Sequence, residues 1–280
     1  MNSIKRGTFV YRKSQSKDVI FTVEKVINTK EKKTVLLKGV LERVLIESSI
    51  DDLVIADRKI IKEKLNYLDA RINNRIEKSY YKNYQYNLSN NNRIQEKIIT
   101  GKILHLDGDK KYSQKSYNYY KKVGLNAIIK NIPEFRQPKV VYNLLKIYKP
   151  DILIITGHDG MFNKDKNFND IQNYRNSKYF INTVKEARRY DAETNSHLVI
   201  FAGACQSYFE GLILAGANFA SSPGRILIDF LDPLIIAEKV ATTEKYKYIS
   251  IDDIAQELRD GKRGVDGIGA SGKMYKKIIL

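Results

Sequence analysis

The 280-residue sequence has a single cysteine, Cys205, only five prolines and three histidines. One thiol cannot close an internal disulfide, so a disulfide-stapled fold is excluded and an intracellular setting is the simpler expectation. Five prolines and sixteen glycines exclude collagen-like and mucin-like chains, and 42% hydrophobic residues exclude a wholly disordered one. No stretch reaches about 18 apolar residues. The N-terminus passes from Lys5 and Arg6 into alternating apolar and polar residues. A membrane span and a signal peptide are therefore not expected. His105, His158 and His197 lack ligand-like spacing and share one cysteine, so no metal site and no cofactor is expected. No Walker loop or dinucleotide fingerprint occurs. Gly267, Gly269 and Gly272 follow no convincing buried strand and read as a flexible loop or a cover over the site.

What the chain has in excess is positive charge: 49 Lys and Arg against 32 Asp and Glu, a net charge of +17. Such a field favours anionic partners, whether nucleic acid, acidic proteins or anionic surfaces. The length fits one large domain, or a large one with a small one.

Residues 1–57 read as a small SH3-like β module. Phe9, Tyr11, Val19, Phe21, Val23, Val35 and Leu37 alternate with polar neighbours, and Asp18, Asn28 and Gly39 supply turns. Residues 58–100 read as one helix and a mobile, basic, Asn-rich linker, with Leu65, Leu68 and Ile72 at helical spacing and Tyr80, Tyr81 and Tyr84 interleaved with Lys. Tyrosines so placed can stack on bases, but a solvated helix face followed by a loop is the plainer reading. Residues 101–280 alternate strand and helix. Ile103–Leu106, Ala127–Ile129, Ile152–Ile155, Leu198–Phe201 and Ile226–Ile228 are the apolar strand runs. Helices are expected over 112–123, 139–148 and 178–190, and around 234–240 and 254–258. The pattern is that of an open, doubly wound α/β domain.

Ligands in such sheets lie beyond the carboxyl ends of the strands. Two reactive groups fall there, His158 in Thr156-Gly157-His158-Asp159-Gly160 and Cys205 in Ala202-Gly203-Ala204-Cys205. Neighbouring strands would set imidazole and thiol side by side, an arrangement suited to a Cys nucleophile with a His partner. A buried lone Cys is more often a small hydrophobe, but this one is unique in the chain and sits in a small-residue elbow. Gly157, Gly160 and Gly203 fit close approach of a peptide backbone.

These two segments resemble those of the caspase-like cysteine peptidases, in which a His precedes the Cys by about 50 residues. The chain departs from the caspases proper in having Asp159 after His158 and Gln206-Ser207 after Cys205. Over nearly its whole length it is similar to a narrower group, the sporulation-specific peptidases of spore-forming Firmicutes. The likeness rests on the N-terminal β module, the Leu104-to-Asp109 strand end and the His158 and Cys205 segments.

The resemblance implies a caspase-like three-layer α/β sandwich with a mostly parallel sheet, preceded by a small β-barrel-like module. It implies Cys205 as nucleophile, His158 as acid and base, and an oxyanion site of backbone N–H groups near Gly157, His158, Gly203 and Cys205. It further implies cleavage after Arg in spore coat proteins and cortex-lytic precursors, in the cytoplasm of the sporulating cell and at the forming coat. An Arg pocket needs a carboxylate at its base. Asp107 and Asp109 are the candidates, with Asp229 and Asp232 behind them. An enzyme cutting after Arg can cut itself, and Arg71, Arg75 and Arg93 in the linker are candidate sites. Asp159 orients a neighbour or caps the following segment. Two rivals remain: a nucleic-acid-binding or scaffold protein in which Cys205 is core, and a Cys-dependent amidase or acyltransferase acting on small substrates.

Overall fold

The computed structural model describes residues 4–15, 19–28, 33–89, 96–163 and 168–278. Asp18 and Arg93, named above, and Asn90, Asn91 and Asn92 of the Asn-rich stretch lie outside the described residues, as do the side chains of Tyr80, Tyr81 and Tyr84.

Alternating apolar residues build the N-terminal sheet from β1 (Phe9–Arg12), β2 (Phe21–Asn28), β3 (Lys33–Gly39), β4 (Leu45–Ser49) and β5 (Leu53–Ile55). All neighbours are antiparallel in the order β4-β3-β2-β1-β5. Val23, Val35 and Leu37 point inward by the period of two and are fully buried. Among the described residues no ladder joins β4 to β5, so the sheet is open at that edge and not a hydrogen-bonded barrel.

The long helix α1 (Arg58–Ser89) follows, and then β6 (Glu96–Ile99) pairs with the C-terminal strand β15 (Tyr275–Ile278). The helix thus extends well into the stretch expected to be a linker, and a strand forms where none was expected. Arg71 and Arg75 lie inside α1 and are held by acids. Arg71 Nη1 donates to Asp229, while Arg75 donates to Glu238 at 2.9 Å and to Glu257 at 2.5 Å. These ion pairs, with Leu68 and Ile72, fasten the helix to the larger domain.

That domain is built on a six-stranded sheet of β7 (Ile103–Asp107), β8 (Ala127–Asn131), β9 (Ile152–Thr156), β10 (Val199–Ala202), β11 (Phe219–Ser221) and β13 (Val265–Gly267). Its order is β13-β11-β10-β9-β7-β8, parallel throughout except for β13. Helices α2 (Lys110–Lys122) and α6 (Asp232–Thr242) pack with α1 on one face; α3 (Gln137–Tyr148), α4 (Ser177–Thr194) and α5 (Phe209–Leu214) cover the other. Successive residues of one strand serve opposite faces, Ile152 and Ile154 facing α6 while Leu153 and Ile155 face α4. This is why these strands read as unbroken apolar runs. The chain leaves β7 in one direction for β8 and in the other for β9, so a crevice opens at the carboxyl ends of β7 and β9.

Two expectations are corrected. Residues 226–228 form no strand; Leu227 and Ile228 instead pack against the N-terminal sheet, where Ile228 is buried. The glycine-rich segment is no flexible cover: Val265–Gly267 is the antiparallel edge strand β13, and Ala270–Ser271 forms β14, which pairs with β12 (Tyr248–Ile249). A Cβ on Gly267 would lie 2.1 Å from the Asn218 carbonyl oxygen, so the close pairing needs glycine there.

Arg75 is the charge on which α1 depends, since Glu238 and Glu257 face it from α6 and the segment beyond. Arg75→Ala strands a largely buried Glu238 and is expected to cost about 3 kcal/mol, read as a lower urea midpoint. Adding Glu238→Gln should recover part of the loss; strictly additive costs would show that the pair is not coupled.

Candidate active site

Parallel pairing sets Ile155 of β9 opposite Ala202 of β10, and His158 and Cys205 each follow three residues later. The two strand ends thus lie side by side, though no hydrogen bond joins the imidazole and the thiol. Cys205 Sγ faces the Ile228 carbonyl at 3.8 Å, and His158 Nε2 has no hydrogen-bond partner. Both side chains are buried. Burial pushes the thiol up to about 12 and the imidazole down to about 3, with Lys38 adding to the second shift. Each is therefore neutral in this arrangement.

The elbow after β10 turns through Gly203 at φ +116° and Gln206 at φ +56°. A Cβ on Gly203 would lie 2.2 Å from Ser221 Oγ, so only glycine fits. On the other strand end, Asp159 ties the two reactive loops together. Its Oδ1 accepts from the N–H groups of Gly160 and Asn176, and its Oδ2 accepts from Ser177 Oγ and Ser207 Oγ. Ser207 Oγ in turn accepts from Ala204 N–H. Asp159 is thus a positioning residue, and sequence had left its role open.

Of the backbone donors expected, two are engaged elsewhere in this arrangement. Gly203 N–H is engaged by the Ile155 carbonyl, and His158 N–H by Glu134 at 2.7 Å. Neither is available to an oxyanion. Gly157 serves instead to admit Glu134, whose carboxylate would lie 2.4 Å from a Cβ there. The N–H groups that converge are those of Cys205 and Asp159, which donate to one carbonyl oxygen at 3.3 Å and 3.2 Å.

That oxygen belongs to Arg43, in the loop between β3 and β4 of the N-terminal sheet. The Arg43 side chain is fully buried, with Nη1 donating to Asp107 Oδ2 at 2.5 Å and the guanidinium 4.5 Å above the Tyr112 ring. Phe230 lies on a further side, 5.6 Å from the guanidinium to its ring centre. Although burial works against it, the Arg43 charge keeps the Asp107 carboxyl below its usual range. Asp107 also accepts from Asp109 N–H at 2.8 Å and Thr156 Oγ1 at 3.0 Å. Asp109 caps α2 and forms an ion pair with Lys38 at the end of β3. Asp229 and Asp232 stand apart at the start of α6. Asp229 pairs with Arg71 and Arg259, while Asp232 accepts from Asp229 N–H and is pushed up to about 7 by burial and by Asp229.

Sequence reasoning missed Arg43, Glu134 and Tyr112. Gly108 and Gly157, both crowded by Glu134, were the available signal for the second; the other two carry no local mark.

Among the described residues no helix is long and apolar enough to cross a membrane, and no group of three His, Cys, Asp or Glu residues could hold a metal ion. A family model described as YabG peptidase U57 matches residues 5–278. The Sporulation-specific protease YabG of Bacillus subtilis (strain 168) is 36% identical over 275 residues, covering 95% of this chain and 94% of that protein.

Burial pushes the Asp159 carboxyl up to about 6 despite its four donors. An acid raised in the folded state holds its proton more tightly than in the unfolded chain. The stability this contributes is complete below about pH 4 and is lost as pH rises through about 6. Asp159→Asn cannot ionise, and it can keep the contacts, because both hydroxyls on Oδ2 can turn to accept. Wild type should therefore lose about 3 kcal/mol relative to this variant between about pH 4 and pH 7 in urea unfolding. A difference independent of pH would contradict the burial of an ionised Asp159.

Proposed function

The chain belongs to the YabG peptidase U57 family, and from that footing we propose that it is a cysteine endopeptidase cutting after Arg, with Cys205 as nucleophile, His158 as proton-transfer partner and Asp107 as reader of the substrate guanidinium. One observation carries the reading: an arginine carbonyl lies between the N–H groups of Cys205 and Asp159 while its side chain sits on buried Asp107.

In the reaction the Cys205 sulfur attacks the scissile carbonyl carbon and its proton passes to His158. Negative charge develops on the carbonyl oxygen, where the two N–H groups stabilise it. His158 then protonates the leaving amine, and water hydrolyses the thioester, returning the thiol. Contacts of 3.2 and 3.3 Å are those of a ground-state carbonyl and shorten as the oxygen becomes charged. The charge of Asp107 and the flat face of Tyr112 suit a planar cation, and no neutral side chain would repay the burial of that carboxylate. Asp109 adds negative potential beside it, whereas Asp229 and Asp232 serve α6.

The sheet order, with helices on both faces, supports a caspase-like sandwich over 101–280, preceded by the β module of 1–57 and the connecting helical segment. The name of the Bacillus relative supports a role in sporulation. Spore coat proteins and cortex-lytic precursors are the proposed substrates, met in the sporulating cell at the forming coat. The net charge of +17 favours acidic or polymeric assemblies and does not require nucleic acid.

Fluorogenic peptides differing only in the residue before the scissile bond test this. Cys205→Ala and His158→Ala should each lower kcat by about a thousandfold or more. Asp107→Asn should lower kcat/KM for Arg peptides by about a hundredfold and flatten the preference for Arg over neutral residues. Undiminished cleavage by Cys205→Ala would dismiss the peptidase chemistry, and unchanged selectivity in Asp107→Asn would move the Arg pocket elsewhere.

A further inference from the structure

The β3–β4 loop meets the site at several points. Lys38 pairs with Asp109, the Val40 carbonyl accepts from Tyr112 Oη at 3.2 Å, and Arg43 fills the pocket on Asp107. Beyond Arg43, Val44 bridges Asp159 in parallel register, and Leu45 N–H donates to the Asp159 carbonyl at 2.8 Å. A Cβ on Gly160 would lie 2.5 Å from the Leu45 carbonyl oxygen, so glycine admits the strand there. Residues 40–42 bend and Gly39 N–H donates to the Val44 carbonyl at 2.9 Å, so the loop is a tight hairpin turn that presents the Arg43–Val44 peptide bond at its end, gripped on both sides of that bond.

Arg43 Nε and Nη2 are buried without a hydrogen-bond partner. A contact serving only to join two sheets would be cheaper with an aliphatic residue at 43 and at 107. Cys205 is buried with Val44 of the loop in the apolar cluster beneath the N-terminal sheet, and His158 is buried beside Tyr112, the residue that donates to the Val40 carbonyl. By contrast, Arg71 and Arg75 lie in helical backbone with their guanidinium groups on acids of the α6 region, and their segment must unwind before it can be cut.

Resting on the peptidase reading above, we propose that the Arg43–Val44 bond is this chain's own first substrate: the β3–β4 loop occupies and masks the active site in cis, and Cys205 cuts it. Sulfur forms a thioester to the Arg43 carbonyl carbon, and the bond from that carbon to the Val44 nitrogen breaks. The thiol proton travels through His158 to the new Val44 amine. Water then hydrolyses the thioester, leaving an Arg43 carboxylate and a free thiol. The new carboxylate lies close to Asp107, and like-charge repulsion favours departure of the 40–43 end, which remains tethered through Gly39. Val44 stays on β4, and the pocket opens to other chains.

The test follows purified full-length wild type, Cys205→Ala and Arg43→Gly by intact mass and by turnover of an Arg peptide in the same tubes, with circular dichroism to confirm folding. Wild type should convert to fragments 1–43 and 44–280, together heavier than the parent by one water, and peptide turnover should rise with the conversion after a lag. Cys205→Ala should stay whole and inactive. Arg43→Gly should stay whole at this bond and turn over peptide without the lag. Wild type that cleaves peptide at once while remaining whole would overturn both the cut and the mask. Wild type that stays whole and inactive beside an active Arg43→Gly would overturn the cut and leave the peptidase reading intact. Folded wild type and Arg43→Gly that cleave no peptide would instead defeat the peptidase reading itself. The wild-type mass alone decides the cut, whether or not Arg43→Gly folds.

Discussion

The buried ion pair of Arg43 and Asp107 joins the N-terminal sheet to the parallel one, and the resting, covered arrangement of the site depends on it. Asp107 stands at the carboxyl end of a central strand with no water to solvate it, so it needs a cation, and the cation comes from the other sheet. With that charge in place, the same carboxylate receives Thr156 and the N–H of Asp109, which begins α2. The main chain of Arg43 then meets the loops carrying Cys205 and Asp159. Asp159 passes the constraint on, through Ser177 to the start of α4 and through Ser207 to the elbow. A contact at one strand end therefore sets the relative position of three others.

The same packing governs the reactivity of the two central groups. A thiol attacks as thiolate, and burial here favours the neutral forms of both Cys205 and His158. The main cause is desolvation, with Lys38 adding to the His158 shift and Glu42 to the Cys205 shift, so much of it is reversed by admitting water. Replacing the β3–β4 loop with a solvated cleft or with a polar substrate would bring both groups back toward their ordinary values. Under the proposed reading, covering and deactivation are thus one physical effect, which needs no change in the Cys205 and His158 side chains themselves.

Much of this was legible in the sequence. Runs such as Ile152–Ile155 and Leu198–Phe201 announce strands buried on both faces, and placing a reactive residue three positions beyond each puts His158 and Cys205 at one end of a parallel sheet. The errors have local causes. Ile226–Ile228 has the composition of a strand but serves as packing for a neighbouring sheet, and apolar content alone does not tell a ladder from a plug. Val265–Gly267 is too short to show periodicity, and its glycine reads as a loop until the Asn218 carbonyl is known to approach it. Asn-rich and Tyr-Lys composition beyond Lys78 suggests a linker, yet Arg71 and Arg75, held by acids distant in sequence, anchor a helix that continues to Ser89. Sequence pointed to Cys205 N–H but could not show that Gly203 N–H and His158 N–H are engaged by the Ile155 carbonyl and by Glu134.

Arg43 was invisible for a further reason: in Leu-Glu-Arg-Val it looks like any charged residue of a hairpin turn, and only its neighbours in space give it meaning. Those neighbours also explain why a hairpin is the element found there. Helices cover both faces of the parallel sheet, so the crevice is reached only from the carboxyl ends of the strands. A cleft with two converging N–H groups and the outward carbonyl of Asp159 can pair with an extended backbone, and a helix has already engaged the groups that such pairing needs. A β3–β4 loop offers that backbone with its register fixed by the flanking strands, and so loses less conformational freedom on docking than a free peptide would. The N-terminal sheet is for this reason more than a support: its position, the charge on Arg43 and the buried state of the thiol follow from one docking event.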